Sequence, residues 1–69
     1  MLEQIFSSVA RTKILKFFCV HAQKKFFVRE ISRTLDLQLN STRRELENLE
    51  KFGFLLSQTE TGKKFYFAN

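Results

Sequence analysis

From Gln38 to Gly53 the run QLNSTRRELENLEKFG repeats its apolar residues at helical spacing. At about 100° per residue, Leu39, Thr42, Leu46, Leu49 and Gly53 share one side of the rod. Asn40, Arg44, Asn48 and Lys51 lie opposite, flanked by Ser41 and Glu47. One face is therefore built to be buried, and the other carries hydrogen-bond donors. Gln38, Asn40 and Ser41 offer side-chain oxygens to the free amides at the start. Gly53 makes a stop, because it adopts a left-handed conformation without steric cost. Arg and Asn are the side chains that clamp guanine and adenine edges bidentately, which suits a nucleic-acid recognition helix. An amphipathic helix with a merely solvated outer face has the same pattern.

The remainder of the chain must supply the partner for that apolar face. Sixty-nine residues make one small domain, near the lower limit for a self-sufficient core, and nine Phe offset the short length. From Val9 to about Ala22 the residues Ala10, Ile14, Phe17, Phe18 and His21 fall on one arc with Leu15 at its edge, predicting a first helix. Before it, Met1–Phe6 is expected to form a short helical turn packing Leu2, Ile5 or Phe6 on the core, with Ser7 and Ser8 as a cap. Phe26, Phe27 and Val28 are of β-forming type and predict a short strand. Ile31 and Leu35 then mark a compact second helix over 29–36, with Glu30 suiting its positive end. A turn leads into the third helix, expected over 39–52. After Gly53 the period changes: 54–58 and 63–68 read as strands joined by a polar loop in which Gly62 supplies the positive φ. The expected class is α+β, mainly α.

Charge points to the partner. The net charge of +5 favours a polyanion such as nucleic acid or an anionic membrane surface. Residues 1–28 hold a surplus of four positive charges, residues 29–53 balance to zero and the tail adds one. The third helix is effective on a polyanion only if its acids lie to the side, which helical geometry allows for Glu45 and Glu50 but not for Glu47. Arg43–Glu47 and Glu47–Lys51 are spaced as surface ion pairs. Arg44 has no acid four residues to either side and points straight away from the apolar stripe, making it the first candidate for base contact.

Other chemistry finds little footing. There is no Ser/His/Asp set, no glycine-rich phosphate loop and one His, so an enzyme is not expected. Cys19 and His21 sit about 200° apart on a helix and cannot grip one metal together. No metal, cofactor or small-molecule ligand is expected. With no signal peptide and no long apolar run, a cytoplasmic, nucleoid-associated protein is expected.

The segments ARTKILKFF, FFVREISRTLDL, STRRELENLEKFGFL and TGKKFYF together resemble a winged helix-turn-helix DNA-binding domain of the prokaryotic type. Such domains occur in small transcription regulators and beside nucleotidyltransferase domains. The run V-R-E-I-S-R-x-L followed by T-x-R-E-L-x-x-L-x-x-x-G-F-L carries most of the likeness, which covers the chain from about Ser7 onward. Where family members often have Gly before the turn and Ser-Pro inside it, this chain has Asp36 and Gln38-Leu39. The resemblance implies a single domain over 1–69, with a three-helix core, a C-terminal hairpin wing and a short strand before the second helix. It implies double-stranded DNA as partner, with the third helix in the major groove and the wing on the backbone. Gln38, Asn40, Ser41, Arg43 and Arg44 would then front the groove, with Asn48 and Lys51 farther back. Arg29 would lie near the phosphates, and Lys63 and Lys64 on the wing, with at most one phosphate contact between them. Tyr66 could face a base or sugar, although a strand aromatic is more often core. Sequence-specific transcriptional control by a homodimer is the leading expectation. A protein-interaction module that keeps the fold without reading DNA, and non-specific nucleic-acid binding by the basic N-terminal half, are the alternatives.

Overall fold

Neither glycine nor proline interrupts the first twenty residues, and in the computed structural model residues 2–20 form one helix, α1, Leu2–Val20. The structure describes the backbone of residues 2–69 and the side chains from Ser8 onward. A helix starting at 9 behind a Ser7–Ser8 cap is therefore corrected: both serines lie inside α1, and the Ser8 carbonyl accepts from the Thr12 hydroxyl at 2.9 Å. The expected packing of Leu2, Ile5 and Phe6 lies outside the described side chains. α1 stops at Val20 rather than 22, because the His21 carbonyl turns to accept the Lys24 amide at 3.1 Å.

β1 is Phe26–Phe27, and Val28 opens α2, Val28–Leu35, instead of ending the strand. The Glu30 carboxylate reaches back to the Phe27 amide at 3.2 Å, which starts the helix one residue early. α2 ends when Asp36 turns left-handed, φ +54°. The Leu37 amide then bonds the Ser32 carbonyl and the Asp36 amide the Arg33 carbonyl, closing the last turn. Asp is one of the few residues besides Gly that adopts this conformation readily.

α3 spans Leu39–Lys51. Its N-terminus differs from expectation: no side-chain oxygen caps it. The Gln38 carbonyl accepts from both the amide and the hydroxyl of Thr42, at 2.9 and 2.8 Å, while the Gln38 side chain takes the Ser41 hydroxyl at 3.1 Å. Asn40 and Ser41 already lie inside the helix, too far along to cap it. At the other end Gly53, φ +86°, lets its own amide bond the Glu50 carbonyl and the Phe54 amide bond the Leu49 carbonyl. This C-terminal lock ends α3 before Phe52 and keeps Phe54 out of the following strand.

β2, Leu55–Glu60, and β3, Lys63–Ala68, pair antiparallel with Glu60 opposite Lys63. The turn between them is Thr61-Gly62 alone, shorter than the expected 59–62 loop. Both residues have positive φ, +47° and +79°, the backbone that matches the strands' own twist. β1 joins the opposite edge of β3 (Phe26 opposite Tyr66), giving the strand order β1-β3-β2. One sheet face turns Leu55, Tyr66 and Phe26 toward the helices. Ile14, Phe17, Phe18, Ile31, Leu46 and Leu49 complete the core. His21 sits half-buried against Phe17 and Phe26, ring centroids 4.8 and 5.6 Å away, while Cys19 is exposed.

Two substitutions should move stability in opposite directions, read by urea denaturation. Leu46→Ala removes a fully buried side chain and should cost about 2–5 kcal/mol. Thr61→Asn relieves a β-branched residue held at positive φ and should stabilise by about 1 kcal/mol.

Candidate nucleic-acid interface

α3 presents two unlike faces. Thr42, Glu45, Leu46 and Leu49 are buried, at the i, i+3, i+4, i+7 spacing of a packed stripe. Asn40, Arg43, Arg44, Glu47 and Lys51 are exposed, Asn48 and Ser41 half-buried, and Gln38 stands exposed at the helix start.

The acids that cancel the positive charge of this segment are mostly turned inward. Glu45 is 3% exposed and is met by the Arg11 guanidinium of α1, which also lies 6.0 Å from the Phe52 ring centroid. Glu50 accepts the Ser57 hydroxyl from β2 and sits 3.6 Å from the Lys64 ammonium of β3. Glu30 is engaged by the Phe27 amide. On the outward face of α3, Arg43, Arg44 and Lys51 are then opposed by Glu47 alone. The pairs expected from spacing, Arg43–Glu47 and Glu47–Lys51, do not occur among the ion pairs of the described residues.

An open groove of about 510 Å³ runs between the start of α2, the first half of α3 and the wing. Four cations line it (Arg29, Arg43, Lys63 and Lys64) together with Glu47. The Lys63 ammonium rests 5.3 Å from the Phe27 ring centroid, and that of Lys64 rests 5.2 Å from the ring centroid of Tyr66. The Tyr66 hydroxyl has the largest influence on the Lys64 ammonium and raises it above its ordinary value; burial, next in size, lowers it, and Glu50 adds a smaller raise.

The structure thus gathers Arg29, Arg43, Lys63 and Lys64 around one groove. Gln38, Asn40, Ser41, Arg44, Asn48 and Lys51 are not part of its lining and follow α3 instead. Sequence reasoning overlooked Arg11 and the burial of Glu45. The Thr42–Glu45–Leu46–Leu49 spacing was the available signal for the second, whereas nothing local links Arg11 to a residue 34 positions away.

No protein-family model and no curated protein matches the sequence. Among solved structures the chain is similar to the solution NMR structure of the homodimeric winged helix-turn-helix DNA-binding domain (fragment 1–100) of Mb0332 from Mycobacterium bovis, a possible ArsR-family transcriptional regulator. The TM-score is 0.72 at 18% identity, over 96% of this chain and 63% of that one. The likeness establishes the fold: three helices and a three-stranded antiparallel sheet in the winged helix-turn-helix arrangement. Among the described residues no helix is long and apolar enough to cross a membrane.

Removing Arg11 should leave Glu45 as a buried carboxylate without its cation. Arg11→Met should cost roughly 1–3 kcal/mol in denaturant titrations. The double change Arg11→Met/Glu45→Met should recover most of that loss, since an apolar pair replaces an ionic one without an orphaned charge. Because the Lys64 pKa is raised in the fold, its contribution is complete below about 10.5 and is lost as pH climbs through the higher folded value. The stability difference between wild type and Lys64→Met should shrink over that alkaline window.

Proposed function

We propose that residues 1–69 act as one winged-helix unit that binds double-stranded DNA sequence-specifically for transcriptional control in the cytoplasm, at the nucleoid. α3 enters the major groove and the wing follows the backbone. Arg44 and Asn40 are the leading base readers, helped by Gln38, Ser41 and Arg43, with Asn48 and Lys51 farther along the helix. Arg29, Lys63 and Lys64 frame the phosphate side. One observation carries this reading: α3 keeps three cations and one acid on its outer face because Glu45 and Glu50 are engaged on its inner side. A helix whose charges served only solubility would have no need to sort them by face.

The mycobacterial domain of similar fold is homodimeric and DNA-binding, which supports the same assembly here. Two copies would present their α3 helices about one DNA turn apart, ~34 Å, on a two-fold site. α1 supplies exposed surface for such an association.

Fluorescence anisotropy with random duplex and with the upstream region of the protein's own gene, over a salt series, tests the reading. Affinity should fall with salt at a log–log slope of roughly −0.9 per phosphate neutralised. Arg44→Ala should cost about 1–3 kcal/mol on a preferred site and little on random duplex. Equal losses on every sequence would remove Arg44 from base readout. Absence of any salt-dependent binding would favour a protein-interaction module.

A further inference from the structure

A two-stranded hairpin is at best marginally stable on its own, so what aims a wing at its target is the contact at its root. Here Leu55 and Tyr66 are buried in the core, β1 pairs with β3 and Lys25 pairs with Glu60, while the polar tie from α3 to the hairpin is one carboxylate. Glu50, in the last turn of α3, accepts the Ser57 hydroxyl of β2 through Oε2, while its Oε1 lies 3.6 Å from the Lys64 ammonium of β3. Ser57 and Tyr66 are opposite each other in the ladder, and Lys64 also leans on the Tyr66 ring. A single side chain of the helix therefore ties both strands of the hairpin. Lys63 differs: it lies over Phe27 at the groove rim, and no carboxylate of the described residues pairs with it.

We infer that Glu50 and Lys64 are positioning residues that set the angle of the wing against α3, and that Lys63 is the wing cation that neutralises a phosphate. This rests on the DNA-binding reading above. A half-exposed ion pair contributes little to the stability of the fold, so its consequence lies in orientation. A cation already compensated by Glu50 also has little net charge left to displace counterions from DNA.

The sign of one effect separates positioning from charge. Removing an acid beside DNA strengthens binding if only electrostatics matter. Glu50→Gln, which gives up the charge that holds Lys64, should instead weaken duplex affinity, about three- to tenfold, because the wing angle is less tightly set. Lys64→Met should weaken it by a similar factor with the salt slope unchanged, and Lys64→Arg should restore most of the loss. The double variant Glu50→Gln/Lys64→Met should be no worse than either single change. Lys63→Met should lower the magnitude of the salt slope by about 0.9. In the free protein, Glu50→Gln should accelerate amide exchange across 57–66 while leaving α2 amides unchanged. Ser57→Ala, which removes only the β2 arm, serves as the second variant if Glu50→Gln lowers the folded fraction, and should show the same loss of affinity.

Tighter binding by folded Glu50→Gln, or a reduced slope for Lys64→Met, would overturn the inference while leaving DNA binding intact. If wild-type protein shows no salt-dependent binding at all, the functional reading itself fails, and this assignment with it.

Discussion

Everything outward on α3 depends on what holds its inner side. Thr42, Leu46 and Leu49 are buried among residues of both other helices and the sheet. Within that apolar stripe sits Glu45, whose charge would be costly there without a partner. Arg11 supplies the partner from α1 and covers Phe52 at the helix end as well. The pair anchors α3 both rotationally and electrostatically: the stripe faces inward, and its acid is compensated before any ligand arrives. Glu50 does the same one turn later with Ser57 and Lys64. The outer face is positive as a consequence of how the inner face is satisfied.

The connections are short and sharply defined, which suits a small domain that has no core to spare. Left-handed residues stand at three of them: Asp36 after α2, Gly53 after α3, and the Thr61-Gly62 pair at the wing tip. At Asp36 and Gly53 two backbone amides return to carbonyls of the preceding helix, so each helix end is closed by its own chain. The helix-turn-helix geometry and the launch of the wing follow from these closures. They set where α3 begins and where β2 can first pair.

Much of this was legible in the residues. The period of 39–49, Gly53 as terminator, the switch to a strand pattern after it, and Gly62 at the turn are local signals that survived folding. Others needed information that no window contains. Val28 has strand character, yet Glu30 drew it into α2 by bonding the Phe27 amide. Asp36 has no glycine's signature, and its left-handed turn replaces the glycine often found there in domains of this type. Thr61 is a poor residue for positive φ, so the turn seemed longer than it is. At the site, exposure of Arg44 and Lys51 followed from helical phase. The role of Glu45 did not, because its cation comes from a distant helix.

The central claim is that the outward face of α3, not the basic N-terminal half, meets a polyanion. A two-dimensional NMR titration with duplex DNA, following backbone amides and arginine Nε–H signals together, tests this most directly. The largest changes should fall on Asn40, Arg43, Arg44 and Lys51, with Arg29 and Lys63 next. Changes concentrated at Lys13, Lys16, Lys24 and Lys25, with Arg43 and Arg44 unmoved, would contradict it.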